Sequence, residues 1–190
     1  MAEKFRYDVE ILHLLVSPAH AYFGRARDGA ADVPTADAEV AEVVAGKGIV
    51  GDRFFGKAAH MDAAVTLFAV ESLEAIAAEL GAGPFNPLLT RRNVILRGVQ
   101  LPPLLGQDFT LESNGSRVDF HGGRHAQPCA WMNEVLAPGA HPAMRGRGGI
   151  RCRALSGGLL HRGPAVLVSP VPLDPAKAGE ASVLRASRLP

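Results

Sequence analysis

The sequence predicts a mainly β fold, a barrel or a sandwich, and three observations lead there. Its runs of Val, Ile, Leu and Phe are short and separated by Gly, Pro or Asn, as in antiparallel all-β proteins. Strong helical periodicity is confined to residues 71–80, so the alternation of strands with long helices that marks a parallel α/β sheet is missing. The 190-residue length suits one domain, which we place at residues 8–170.

The elements follow in order. Residues 7–17 alternate, are rich in Val, Ile and Leu, and end at Pro18, so they read as a strand. Residues 24–34 carry Gly, Ala, Asp and Arg without a period and read as a loop. A second short strand covers 39–44, and the glycines at 46, 48, 51 and 56 then punctuate a long turn around Asp52 and Arg53. In residues 71–80, Leu73, Ile76, Ala77 and Leu80 fall at helical spacing, with acidic residues early and Gly81 as the stop. Residues 93–96, 109–111, 117–120, 150–155 and 166–169 are further short strands. A second helix is expected over 129–136, between Pro128 and the Pro138-Gly139 pair. Residues 171–190 turn to Pro, Ala, Ser and Lys and read as an arm or a disordered tail.

Composition excludes several classes. With 47% hydrophobic and 21% charged residues the chain is neither disordered nor fibrous. The longest apolar stretch, residues 63–70, is far below the roughly 20 residues of a membrane span. The N-terminus lacks the apolar centre of a signal peptide, so a cytoplasmic protein without membrane partners is expected. Its two cysteines, Cys129 and Cys152, make neither a disulfide framework nor a zinc set. Net charge is +1, but residues 1–90 carry −6 and residues 91–162 carry +6. Sixteen of the twenty basic residues are Arg, which suits bidentate capture of a small anion. There is no basic run with interleaved aromatics, which argues against nucleic acid.

Cys129 is the sharpest candidate. A helix starting there would place its sulfur among unpaired amides, where the dipole favours the thiolate, and His121, Arg124 and His125 stand just upstream. The other reading is a buried, inert thiol. Cys152 alternates with Arg151 and Arg153 and reads as core. Arg91, Arg92 and Asn93 precede a strand and offer directed donors to a phosphate or a pterin edge, or else form a solvent-facing pair. The glycine-rich turn holding Asp52 and Arg53 fits neither a Walker loop nor a dinucleotide fingerprint. His60 reads as a loop histidine or a proton donor, and Arg145, Arg147 and Arg151 with Gly148 and Gly149 as a charged turn.

Taken in order, these pieces resemble a known family. Gly48-Ile-Val-Gly-Asp-Arg53, Val65-Thr-Leu-Phe68 followed by Glu71, Arg91-Arg-Asn-Val94, Gly98-Val-Gln-Leu101, Gly106-Gln-Asp-Phe109, Pro128-Cys129, Arg147-Gly-Gly-Ile150 and Gly157-Gly158 recur with these spacings in MOSC domains, the C-terminal domains of molybdenum cofactor sulfurases. The set spans roughly residues 8–168, and the chain resembles a small stand-alone bacterial-type member. The resemblance implies a mainly β, MOSC-type β-barrel with a few short helices and a surface for the molybdenum cofactor (molybdopterin). It implies Cys129 as the functional cysteine and molybdenum ligand, with Arg91, Arg92 and Asn93, beside Asp52 and Arg53, holding the anionic pterin.

The activity implied is reduction of N-hydroxylated bases or similar small compounds, the alternative being a non-catalytic sulfur (persulfide) or cofactor carrier. Soft thiolate ligation and Arg donors to phosphate are chemically consistent with that cofactor. The chain departs from the family in two places. Ala126 stands where several members have a second cysteine, and Gly163-Pro164 replaces a Gly-Asp turn. The sequence shows no fused donor domain, so an electron-donor or sulfur-donor protein is expected as a separate partner.

Overall fold

Closing a β-sheet on itself removes its edges, and here seven strands do so. In the computed structural model, which describes residues 4–182, the chain forms β1 (Phe5–Val16), β2 (Ala36–Asp37), β3 (Val40–Val44), β4 (Gly48–Ile49), β5 (Val65–Ala69), α1 (Val70–Leu80), β6 (Val94–Arg97), β7 (Asp108–Ser113) and β8 (Ser116–His125). Then come α2 (Trp131–Val135), α3 (Ala140–Ala143), β9 (Ile150–Ala154), β10 (Gly158–His161) and β11 (Gly163–Ser169). The barrel runs β11-β7-β8-β9-β5-β6-β1, and β1 returns to β11. The fold is the mainly β barrel with short helices that the sequence predicts.

β1 can close the ring because it is long. Its residues 5–11 pair with β11 and residues 10–14 with β6, with a register shift between Ile11 and His13 that lets the strand turn the corner. All barrel pairings are antiparallel except β5 with β6, where α1 makes the crossover that parallel strands need. β5 is the apolar run that alternation could not reveal. All five of its residues are buried, the signature of a strand covered on both faces. Val65, Leu67 and Ala69 point into the barrel, while Phe68 packs outward under α1 and α2 with Ile95, Leu73, Ile76 and Trp131. β10, β3 and β4 form a separate three-stranded sheet.

The helices are shorter than the sequence suggests except α1. That helix ends on Gly81 at φ 59°, whose N–H donates to the carbonyls of Ala77 and Ala78, a left-handed cap that favours glycine. α2 has only five residues. Gly148 and Gly149 come so close to the carbonyls of Ala126 and Leu67 that a Cβ at either position would collide with them. They therefore pin the segment leading to Cys129 against β5 and β9. After β11, Leu173 and Ala178 are buried against the barrel, and the Leu173 N–H donates to the Tyr7 hydroxyl at 2.6 Å. The Ser182 N–H donates to the Gly146 carbonyl at 3.0 Å, so residues 171–182 lie along the barrel wall. Residues 183–190, the rest of the expected arm or tail, lie outside the described residues. Among the described residues no helix is long and apolar enough to cross a membrane.

Inside the barrel Phe120 is fully buried and stacks on Phe109 at 5.8 Å. Phe120→Ala should cost about 3–5 kcal/mol of unfolding free energy, because it removes a large buried side chain and leaves a cavity. Equilibrium denaturant unfolding, with a shifted midpoint at unchanged slope, measures this.

Candidate functional site

Four stretches of chain meet at the outer side of the β5–β6 junction. The first is the glycine-rich turn after β4. Its Asp52 carboxylate is wholly out of water and accepts from the Phe54 N–H at 3.1 Å, the Asn93 amide at 3.0 Å and the Arg53 guanidinium at 3.3 Å. Arg53 is thereby aimed, and its second terminal nitrogen donates to the Arg91 carbonyl at 3.0 Å.

The second stretch leads into β6. Arg91 takes a left-handed conformation, φ 57°, after the short turn Pro87–Thr90, and so points away from Arg92. Its guanidinium donates to Thr35, Ser17 and the Ala19 carbonyl. Arg92 donates to the carbonyls of Gly148, Ala126 and Gln127. Asn93 is fully buried and serves the scaffold: its amide bonds Thr66, the Leu15 carbonyl and Asp52. The two residues read as cofactor donors that do not line the cleft are thus Asp52 and Asn93, which hold Arg53 and the strands in place.

The third stretch carries Cys129. It does not start a helix. α2 begins at Trp131, and the Cys129 carbonyl only accepts from the Met132 N–H at 3.0 Å. With five residues, α2 lends no appreciable dipole to the sulfur. His121 and His125 do not line the cleft either: His121 bonds Asp108 at 2.6 Å, and His125 lies beyond the β8 register shift, its pKa lowered by burial. Cys129 is nevertheless exposed. Cys152 is in the barrel interior, where burial pushes its thiol pKa far up, in line with a core role.

The fourth is β9. Because Cys152 faces inward, Arg151 faces outward, opposite Thr66 of β5. The sequence held that signal in the inward reading of Cys152, but the Arg and Gly around Arg151 masked it as a turn.

Together these stretches enclose a cleft of about 170 Å³ with Arg53, Arg91, Arg92, Arg151 and Cys129 in its walls. Burial lowers the pKa of all four arginines, that of Arg92 to about 10, so each still carries its charge at neutral pH. Tyr22, stacked on Trp131 at 5.3 Å, and His20, edge-on to Phe54 at 5.1 Å, complete the walls. Neither was marked as a site residue in the sequence, which carries no local pattern around them. Burial, with Arg53, Lys57 and Arg91 nearby, lowers the His20 pKa, so its imidazole is neutral at pH 7. A larger groove of about 520 Å³ between β1, the β7–β8 turn and β11 holds none of these residues, and its Arg117 is already paired with Asp119. The cleft is electropositive, with a thiol at its rim.

Comparison with known proteins bears on the family and the fold. The family model described as MOSC domain matches residues 46–167. Among solved structures, the chain is similar to the YuaD protein from Bacillus subtilis, with 18% identity and a TM-score of 0.64 over 90% of this chain and 100% of that one. It is similar to YiiM from Geobacillus stearothermophilus, with 18% identity and a TM-score of 0.58 over 84% and 74% of the two chains. YiiM from Escherichia coli gives 18% identity and 0.53 over 92% and 76%. At these identities the likeness is one of fold. No curated protein matches the sequence.

Two outcomes are expected. Iodoacetamide should label one thiol in the native protein and a second only in denaturant, with peptide mapping assigning the first to Cys129. NMR titration of His20 should give a pKa below the ordinary 6.5, and Arg53→Gln should move it upward by removing one of the cations that oppose protonation.

Proposed function

The chain belongs to the MOSC domain family, and from that premise we propose that the Cys129 cleft binds the molybdenum cofactor and serves reduction of N-hydroxylated bases or similar small compounds. The observation that carries this reading is an exposed thiol at the rim of a cleft walled by four arginines, whose nearest carboxylate, Asp52, is turned into a buried network.

The donor set fits such a group. Among the described residues no three His, Cys, Asp or Glu side chains are grouped to hold a metal ion. A metal held here must bring most of its ligands with it, as a dithiolene does, and accept one soft thiolate from the protein. When bound, the cofactor supplies a centre able to take up oxygen from an N-hydroxyl group.

The protein's own contributions follow from its hydrogen bonds. Arg92 spends Nε and one terminal nitrogen on three main-chain carbonyls, leaving its other terminal nitrogen for a ligand. Arg53 is aimed by Asp52, and Arg91 is fixed by Thr35, Ser17 and Ala19, so both offer charge without having to be ordered on binding. Cys129 provides the sulfur. Each turnover needs two electrons and two protons for loss of the hydroxyl as water, the electrons coming from a separate donor protein. A second reading, a persulfide carrier, gains from the burial of Cys152, which leaves Cys129 without a resolving thiol.

Expression in a host that makes the cofactor, followed by metal and pterin analysis, tests the proposal. Wild-type protein and Cys152→Ala should both retain molybdenum and pterin, and Cys129→Ser should lose most of the metal while staying folded. Wild-type protein with neither metal nor pterin would overturn the cofactor reading, and an added sulfur on Cys129 by mass spectrometry would then establish the carrier.

A further inference from the structure

Two arginines oppose each other across neighbouring strands with no counter-charge between them. Arg124 of β8 is the register partner of Arg151 of β9, just past the irregularity that begins at Gly122. Like charges directly opposite each other in a sheet repel, so such a pair needs a compensating group. The same face supplies one elsewhere. Arg153, two residues further along β9, is held by Asp62 at 3.2 Å, and its register partner His121 is held by Asp108 at 2.6 Å. Among the described residues Arg124 and Arg151 have neither a carboxylate partner nor a hydrogen-bond acceptor, and Arg124 is one of the groups that lower the pKa of Arg151.

The pair also joins two hollows. Arg151 belongs to the Cys129 cleft, whereas Arg124 belongs to a second hollow of about 280 Å³ beneath the turn Ala58–Ala63. Between them Phe54, a wall of the cleft, packs on the His60 ring at 4.8 Å, and His60 lines the second hollow. His60 Nδ1 is buried with no hydrogen-bond partner. The hollow's one carboxylate, Asp62, is already taken by Arg153.

We propose that Arg124 and Arg151 form a second anion subsite beside the Cys129 cleft, which holds a phosphate group carried by the substrate. The proposal rests on the functional reading above and narrows it: the compounds reduced at the cleft are phosphorylated rather than neutral or cationic. Two guanidiniums carried by register partners on adjacent strands supply N–H donors of the kind a tetrahedral oxyanion accepts, and its charge would relieve their repulsion.

Titration of the protein with inorganic phosphate at constant ionic strength, followed by amide NMR, tests the subsite directly. Shifts should concentrate at residues 122–125 and 150–152. Arg124→Gln should weaken that binding about tenfold or more, and Arg124→Lys should recover part of it. Arg124 is exposed, so neither variant disturbs the core. Shifts confined to residues 53 and 91–92, or undiminished binding in Arg124→Gln, would overturn the subsite.

Metal and pterin content separates the two sources of phosphate. Arg124→Gln should keep both at the wild-type level. Their loss would assign the pair to the cofactor's own phosphate and overturn the substrate assignment. Phosphate bound at this pair in a protein that never acquires molybdenum would instead defeat the cofactor reading and leave the subsite standing.

Discussion

The Asn93 carboxamide is the interaction on which the site depends. Its oxygen accepts from both the N–H and the hydroxyl of Thr66, and its nitrogen donates to the Leu15 carbonyl and to Asp52. All four hydrogen-bonding positions of the amide are therefore used, as full burial requires. One side chain ties β1, β5, the start of β6 and the glycine-rich turn into a fixed arrangement. Losing it would take from Asp52 one of its three donors and leave the Thr66 N–H without its acceptor in a water-free setting, where an unmet polar group costs about 1–3 kcal/mol.

That knot explains how several arginines can be crowded together. Arg53, Arg91 and Arg92 donate to five main-chain carbonyls between them, but only Asp52 offers a compensating charge. Carbonyl dipoles satisfy the N–H groups and leave the net charge intact. The cleft is therefore rigid and positive, with field lines focused by the surrounding apolar wall of Tyr22, Phe54 and Met132. Rigidity and charge have separate origins here: the neutral amide and carbonyls supply the first, and the shortage of carboxylates supplies the second.

Much of the barrel was legible because its strands are short and bounded by glycine and proline, and the cleft segments because their order matched a family pattern. What failed was direction. Asn93 and Arg92 are adjacent in sequence and both polar, yet one is turned into the protein and the other toward the cleft, a difference set by partners that arrive from residues 15, 52, 66, 126 and 148. The start of the second helix was misplaced by two residues, enough to remove the helix-terminus argument for Cys129. β5 lacked alternation because α1 and α2 cover its outer face. No short-range pattern could pair Arg124 with Arg151, since their opposition exists only once β8 and β9 are in register.

The seam of the barrel lies between β1 and β11, whose pairing runs from Phe5 with Ser169 to Ile11 with Gly163. During synthesis all the residues of the cleft emerge before the strand that seals the ring. A nascent chain thus holds an open sheet edge on β1 while more than a hundred residues are added, and closure waits on a contact between distant parts of the sequence. The barrel behaves like a hoop fastened last at a single joint, so the interval before fastening, rather than the finished fold, is when this protein most needs shelter from its neighbours.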